Sequence, residues 1–543
     1  MKTRSVNTRP YLDQKPGTAG LRRKVRIFQQ PRYLENFLQC IFDCGGQFAG
    51  ETLIAGGDGR FHNQEALQTL IRVSAGNGVG RLIVGRNGLL STPAASHLIR
   101  QRAAAGGFLL TASHNPGGPD GDFGVKFNTA SGGQAPESLT RSIYDATQSI
   151  ERYLEADLAP VDLGRLGETD AAGMIVEVID PVIDYANLME TLFDFDRIEA
   201  LFAGGFSARY DAMHAVTGPY AAEILNRRLG APADWLLNGQ PLPDFGGGHP
   251  DPNPVDAADL VALINGPVPV DFAAASDGDG DRNMILGPGL VVSPGDSLAI
   301  LAANARQIPG FEEGISGVAR SMPTSRAIDE VARRLGVPCF ETPTGWRYFC
   351  NLLDDGRIDL CGEESFGTSS NHVREKDGLW AVLFWLNLIA VRGQSVNEIV
   401  EDHWREFGRN AFNREDFFIP DAELGSQLMA ELENSVPELD GRPVDGLRIT
   451  AADVFAYHDP VDGSVSAQQG VRIFFDDGSR IVYRLSGTGT TGATLRIYLE
   501  RRVTETDLLI RPAVELNAPL STIARKLSRI RELTGIEQPA AVV

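Results

Sequence analysis

The stretch Val270–Arg282, VDFAAASDGDGDR, decides how this chain is read. Val270–Ala275 is a short, largely apolar run, as a strand buried in a parallel sheet should be. It breaks at once into a loop in which Asp277, Asp279 and Asp281 alternate with glycine. Carboxylates this close repel one another strongly unless a cation sits among them. The glycines between them let the backbone fold so that the carboxylates converge. All-oxygen ligation points to Mg²⁺, Mn²⁺ or Ca²⁺ rather than Zn²⁺. An EF-hand is argued against, because its sixth loop position holds Arg282 instead of Gly and its twelfth Pro288 instead of Glu. Taken alone, the loop reads equally well as a solvated acidic turn.

The same strand-then-loop pattern recurs on both sides. Arg81–Gly85 (RLIVG) is an apolar run closed by Gly, and Thr92–Ala105 has helical composition ended by Gly106-Gly107. Phe108–Thr111 (FLLT) is the next expected strand, followed by SHNPGGPDGD. Ile358–Cys361 (IDLC) is another, followed by GEESFG. Each unusual loop sits at the carboxyl end of a strand, where open α/β sheets place their ligand sites. The last quarter differs. Val471–Gly487 (VRIFFDDGSRIVYRLSG) reads as two antiparallel strands joined at Asp477-Gly478. A terminal helix carries Ile523, Leu527, Ile530 and Leu533 on one face and stops at Gly535. Linkers are expected near 180–184, 309–314 and 407–413.

Bulk properties bound the possibilities. At 543 residues the chain needs several hydrophobic cores. A net charge of -21 argues against a nucleic-acid partner, whose phosphates it would repel. The uncharged stretch Leu379–Val391 is too short to span a bilayer and reads as a buried helix, so no membrane association is expected. Five cysteines with no C-x-x-C pair fit reduced thiols and a cytoplasmic setting. The first 34 residues are basic, with Asp13 the one acidic side chain, which superficially suggests a transit peptide.

Three further loops carry chemistry. Ser113, beside His114 and ahead of Lys126, is a possible nucleophile at a strand end. It is not a hydrolase elbow, since G-x-S-x-G is absent; its plain alternative is a turn-forming serine. Arg484-Leu485-Ser486-Gly487-Thr488-Gly489-Thr490-Thr491-Gly492, with Arg496 beyond it, offers backbone N–H groups, hydroxyls and guanidinium groups suited to a phosphate. It lacks the Lys of a P-loop, so no nucleotide is indicated. Glu363, Glu364 and Ser365 offer the paired acceptors that sugar hydroxyls need, though helix capping explains them as well.

Each loop is weak alone; their combination and order are not. TASHNP, DGDGDR, GEESFG and RLSGTGTTG, in that order, resemble the α-D-phosphohexomutase superfamily, and more closely its glucose-specific phosphoglucomutase branch. The resemblance extends through KPGTAGLRRKV (Lys15–Val25), TPTGWRYF (Thr342–Phe349) and the run Cys361–Leu386, covering Lys15 to about Gly535. It implies four domains around a central cleft: three α/β mixed-sheet domains (1–183, 184–308 and 309–408) and a C-terminal α+β domain (409–543). It implies phosphorylation of Ser113, and one Mg²⁺ per subunit held by Asp277, Asp279, Asp281 and a phosphate oxygen on Ser113. Thr344, Gly345, Glu363 and Ser365 match the sugar-recognition set. Arg484, Ser486, Gly487, Thr488 and Arg496 match the pocket for the phosphate that stays in place. Arg22, His114, Lys126, Arg282 and Lys376 match positive positions around the moving phosphoryl group. Ala19 replaces the Ser of the family's GTSGLR loop, which removes a hydroxyl but leaves Arg22. Cleavage of the basic leader would remove Lys15 and Arg22 from this site.

The reaction so implied converts α-D-glucose 1-phosphate to glucose 6-phosphate through phospho-Ser113, with glucose 1,6-bisphosphate as intermediate and activator. His114, Lys126 and Lys376 are the candidates for proton transfer, with Lys376 favoured and His114 in support; a Lys would need a lowered pKa to act as base. Alternatives are a mutase for mannose or another hexose phosphate, a synthase of the bisphosphate, and a non-catalytic structural relative. GEESFG, and the intact Ser113 and aspartates, favour the first reading. The oligomeric state is not legible in the residues.

Overall fold

The computed structural model describes residues 3–268, 270–486 and 492–543. The chain forms two compact units, one made of 1–294, 304–316 and 345–397, the other of 295–303, 317–344 and 398–543.

The first unit holds two mixed sheets. In the larger, the strands run in the order Leu21–Lys24, Asp122–Thr129, Gly106–Leu110, Thr52–Gly57, Arg81–Leu89, Met174–Ile179 and Gly167–Ala171. Its centre is parallel: Thr52–Gly57 pairs with both Arg81–Leu89 and Gly106–Leu110 in that sense. Helices Asn63–Gly76 and Thr92–Gln101 make the crossovers. Covered on both faces, Gly106–Leu110 is buried at every residue, which is why its sequence is a continuous apolar run. The second sheet runs Leu236–Leu237, Ala208–Asp211, Phe272–Ser276, Asn283–Gly287 and Leu290–Val291, and Phe272–Ser276 is again buried throughout. The antiparallel pair Leu360–Glu363 and Gly367–Ser370 leads into the buried helix Gly378–Arg392, whose first turn Asp377 caps by accepting from Trp380 N at 3.0 Å.

The second unit contains the parallel pair Val318–Ser321 and Cys339–Thr342 and an antiparallel seven-stranded sheet. The expected hairpin is there, with Val471–Phe475 against Arg480–Ser486 and Gly478 at φ 82° in its turn. The core of this sheet is built from Phe417, Ile473, Ile481, Leu495 and Ile523, among others.

Two expectations are corrected. The terminal helix is broken: Ala513–Ser528 and Ile530–Thr534 flank Arg529, which takes φ 53° and resets the axis so that Ile530 still reaches the core. Helix Thr92–Gln101 ends before Ala105, because Ala103 turns left-handed at φ 47°. At the linker expected near 180–184, Asp180 caps the helix Pro181–Leu192, accepting from Val182 N. No single helix among the described residues is long and apolar enough to cross a membrane.

Candidate active site

The strand ends bring the serine loop and the aspartate loop together. Ser113 follows the strand Gly106–Leu110 and takes φ 53°, an uncommon conformation for a residue with a Cβ. Its Oγ donates to Asp277 Oδ2 at 2.9 Å and lies 3.4 Å from His114 Nδ1. Gly278 permits this approach, since a Cβ there would lie 2.4 Å from the Ser113 carbonyl.

Asp277, Asp279 and Asp281 are buried, and one ligand atom from each falls within 4.8 Å of the others. Their surroundings differ. Asp277 Oδ1 accepts from the backbone N–H of Asp281 at 2.9 Å and of Arg282 at 3.0 Å. Burial, then repulsion from Asp281 and Asp279, still pushes its carboxyl well above the usual range. Asp279 Oδ2 accepts from Thr92 Oγ1 at 2.7 Å. Burial alone would raise Asp279, but Lys126, Thr92 and Lys376 outweigh it and hold the carboxyl below its ordinary value. Asp279 Oδ1 is buried with no hydrogen-bond partner among the described residues. Three converging carboxylates with an orphaned oxygen suit a hard cation.

Fixed cations ring this cluster. Lys376 Nζ is 3.3 Å from Asp281 Oδ1 and 4.0 Å from Glu363 Oε2. Lys126 Nζ is 3.2 Å from Glu375 Oε1 and 4.0 Å from Asp281 Oδ2. Burial opposes the charge on Lys126, yet Glu375, Asp279 and Asp281 raise its pKa, so it stays protonated. Arg282 is tied to Asp251 at 3.1 Å. Arg22, on the strand Leu21–Lys24, has its pKa lowered by burial, with Asp279 opposing the shift. Burial, then Arg282 and Arg22, drives His114 well below its ordinary value, so its imidazole is neutral at pH 7.

Of the expected sugar-recognition residues, Glu363 Oε1 accepts from Gly345 N at 2.9 Å, and burial raises the Glu363 carboxyl against the pull of Lys376. Ser365 lies half-buried in the turn between the paired strands. Thr344 is at the end of the segment 317–344, with its hydroxyl buried and unpartnered among the described residues. In the second unit, Arg484 and Arg496 stand directly opposite each other on neighbouring strands. Arg484 donates to Tyr498 Oη at 3.4 Å, and Arg496 lies 3.9 Å from Asp416. Like charges so placed repel unless an anion joins them. Ser486 ends its strand opposite Thr494, while Gly487 and Thr488 lie outside the described residues.

Several residues at this site escape a sequence reading. Thr92, Asp251 and Glu375 partner Asp279, Arg282 and Lys126 across long stretches of chain. Asp58 and Arg60 lie behind Ser113; their one signal is that Asp58-Gly59-Arg60 follow the strand Thr52–Gly57 as the other loops follow theirs.

A serine loop, a carboxylate triad and a ring of cations on successive α/β sheets define a class of enzyme that moves phosphoryl groups on sugars. Family models agree, describing phosphoglucomutase/phosphomannomutase alpha/beta/alpha domain I over residues 13–154, domain II over 184–289 and domain III over 294–407, with the phosphoglucomutase-1 C-terminal domain over 409–540. The chain belongs to the phosphoglucomutase/phosphomannomutase family, with three α/β domains and a distinct C-terminal domain. It is 54% identical to a phosphoglucomutase of Rhizobium radiobacter over 99% of each chain. It is 49% identical to phosphoglucomutase-1 of Oryctolagus cuniculus over the whole of both. The open form of the exocytosis-sensitive phosphoprotein pp63/parafusin, a phosphoglucomutase from Paramecium, superposes with a TM-score of 0.91 at 45% identity, covering 100% of this chain and 99% of that one. These full-length similarities place the chain in the glucose-specific branch.

Proposed function

We propose that this chain interconverts α-D-glucose 1-phosphate and glucose 6-phosphate, with Ser113 as the phosphoryl carrier. The observation that carries this reading is the seating of Ser113 Oγ at 2.9 Å from a buried aspartate triad that has an orphaned acceptor. In the forward reaction, O6 of bound glucose 1-phosphate attacks the phosphorus on Ser113. The new O6–P bond forms as the Oγ–P bond breaks, the hydroxyl proton leaves to a base, and glucose 1,6-bisphosphate results. After the sugar turns over, Ser113 Oγ takes the phosphoryl from O1 and glucose 6-phosphate departs.

The chain's own groups divide this work. Asp277, Asp279 and Asp281 would hold Mg²⁺, which when bound supplies charge neutralisation on the transferring group. Lys126, Arg282 and Arg22 add fixed positive charge in a water-poor setting. His114, neutral and 3.4 Å from Ser113 Oγ, suits proton exchange with the serine oxygen. Lys376, between Asp281 and Glu363, stands toward the sugar loop and is our candidate to receive the proton of the attacking hydroxyl. Glu363, Ser365, Thr344 and Gly345 read the sugar hydroxyls; Arg484, Ser486, Gly487, Thr488 and Arg496 hold the phosphate that does not move. The sparse, unpaired cysteines support a cytoplasmic setting for this metabolism.

The test is the initial rate of glucose 6-phosphate formation from α-glucose 1-phosphate with Mg²⁺ and a trace of glucose 1,6-bisphosphate, beside mannose and N-acetylglucosamine 1-phosphates. A large preference for glucose is expected. Equal turnover of another sugar would overturn the substrate assignment, and no turnover of any would overturn the enzymatic reading.

A further inference from the structure

We propose that Asp58, Arg60 and Thr111 are positioning residues for phosphoryl transfer, gripping both backbone groups of Ser113 and holding it in the left-handed conformation that aims Oγ at the aspartate loop. This rests on the reading of Ser113 as the phosphoryl carrier.

At φ 53°, Ser113 occupies a region that strains a residue with a side chain, and such a conformation persists only where its surroundings over-determine it. Those surroundings form a closed ring of hydrogen bonds. Ser113 N donates to Thr111 Oγ1 at 2.8 Å, and the Thr111 hydroxyl donates to Asp58 Oδ2 at 2.6 Å. Asp58 is gripped in turn by Arg60 Nε, at 2.8 Å from Oδ2 and 3.1 Å from Oδ1. Arg60 Nη2 then donates to the Ser113 carbonyl at 2.7 Å. Each donor has one sense. Ionised Asp58 can only accept, so the single proton of Thr111 points at it and a Thr111 lone pair faces Ser113 N–H.

The ring also anchors the far end of the loop, because Arg60 Nη1 donates to the Asp122 carbonyl at 2.8 Å. One planar guanidinium therefore spans the loop 113–122, a geometry that lysine cannot supply. The Asp58 and Arg60 side chains are 0% exposed, and the ring of Phe245 lies 5.2 Å from the Arg60 guanidinium. Burying an ion pair seldom adds stability over apolar packing of the same volume. Here the pair spends its hydrogen bonds on the backbone of the one residue whose placement the chemistry requires. Transfer rates fall steeply with small misplacements of the reacting atoms. Loosening the ring therefore slows transfer while leaving sugar-phosphate binding intact, because none of the three residues belongs to the proposed sugar or phosphate pockets.

The experiment compares the full-length chain with Thr111→Val, Thr111→Ser and Arg60→Lys. Intact-mass measurement first follows the gain of one phosphate on Ser113 from glucose 1,6-bisphosphate, and steady-state kinetics then give kcat and KM. Thr111→Val, isosteric but without the hydroxyl, is expected to lower kcat and the rate of Ser113 phosphorylation together, on the order of a hundredfold, with KM held within about twofold. Thr111→Ser is expected to restore both. Arg60→Lys keeps the charge beside Asp58 but loses the fork, and is expected to show the same kcat loss; it decides the matter if Thr111→Val does not fold. Folded variants with kcat within about twofold of the parent, or with KM rising in proportion to the loss of kcat, would overturn the positioning role. A parent chain that takes no phosphate at Ser113 would overturn the carrier reading, and this proposal with it; that failure shows in the parent, whereas failure of the positioning role shows only in the variants.

Discussion

Arg484 and Arg496 show what single residues must be doing. They face each other across adjacent strands, where two guanidinium groups repel. Arg484's bond to Tyr498 at 3.4 Å and Arg496's approach to Asp416 at 3.9 Å are set against that repulsion. A doubly charged phosphate between them would relieve it. Arg496→Ala is therefore expected to raise KM for glucose 1-phosphate by about ten- to a hundredfold, the effect of losing ~1.5–3 kcal/mol of charge-assisted hydrogen bonding, with kcat changed less. An unmoved KM would place the phosphate pocket elsewhere. At this scale the sequence was informative where a polar loop directly follows an apolar strand, as at Ser113 and Asp277. It was silent on Thr92 and Glu375, because a buried carboxylate or hydroxyl has no local signature. The partners that explain Thr92 and Glu375 lie 187 and 241 or more residues away in the chain.

At the scale of elements, the strand ends and helix starts lock the loops to one another. The helix Gly378–Arg392 begins directly after Lys376, with Asp377 held by Tyr185 Oη at 2.6 Å, His372 Nε2 at 3.0 Å and Trp380 N at 3.0 Å. Gly378 N donates to the carbonyl of Gly280, in the aspartate loop, at 3.0 Å. A Cβ on Gly378 would lie 2.1 Å from the Arg282 carbonyl and 2.7 Å from Ser276 Oγ. Gly378→Ala is thus expected to lower stability by about 1–3 kcal/mol through overpacking and to raise the Mg²⁺ concentration needed for half-maximal activity. Chemical denaturation and a Mg²⁺ titration check this; a variant unchanged in both would show that the helix start and the aspartate loop move independently. Strands, the hairpin at Gly478 and the buried helix were legible because alternation, continuous apolarity and turn residues are local. The breaks at Ala103 and Arg529 were not, since a left-handed residue other than glycine follows from packing rather than propensity.

At the scale of the molecule, a buried charge network knits the second unit. Glu500 accepts from Arg480 Nε at 2.9 Å, Arg326 N at 2.7 Å and Asn410 Nδ2 at 2.6 Å. Arg480 also donates to the carbonyls of Met322 and Thr324, joining the segment 317–344 to the C-terminal sheet. Burial lowers Arg480 to about 10, against the pull of Glu500 and with help from Arg320 and Arg326. Burial alone would raise Glu500, but Arg480 and Arg326 bring it down to about 2. Both remain charged at neutral pH. In the unfolded chain Glu500 binds its proton near pH 4.5, so its contribution is fully present above that value and is lost as pH falls toward 2, roughly 3 kcal/mol in all. Glu500→Gln is expected to cost about 3–5 kcal/mol at pH 7, by leaving Arg480 and Arg326 without their counter-charge, and to flatten the acid side of the stability curve. Urea denaturation across pH 2–7 checks it; an acid slope equal to the parent's would assign that slope to other carboxylates.

By itself, the sequence determined where the chemistry would sit along the chain. Short apolar runs closing on Gly-, Asp- and Ser-rich loops are local patterns, and their order marks the family. Only the tertiary structure decided what those loops do to each other. It carries Asp277 across 164 residues to within 2.9 Å of Ser113 Oγ. It makes one aspartate of the triad easier to protonate and another harder. It also grips the serine backbone from behind with Asp58 and Arg60. Those outcomes depend on burial and on distances between groups remote in the chain, and electrostatic energy in a water-poor interior is set by those distances.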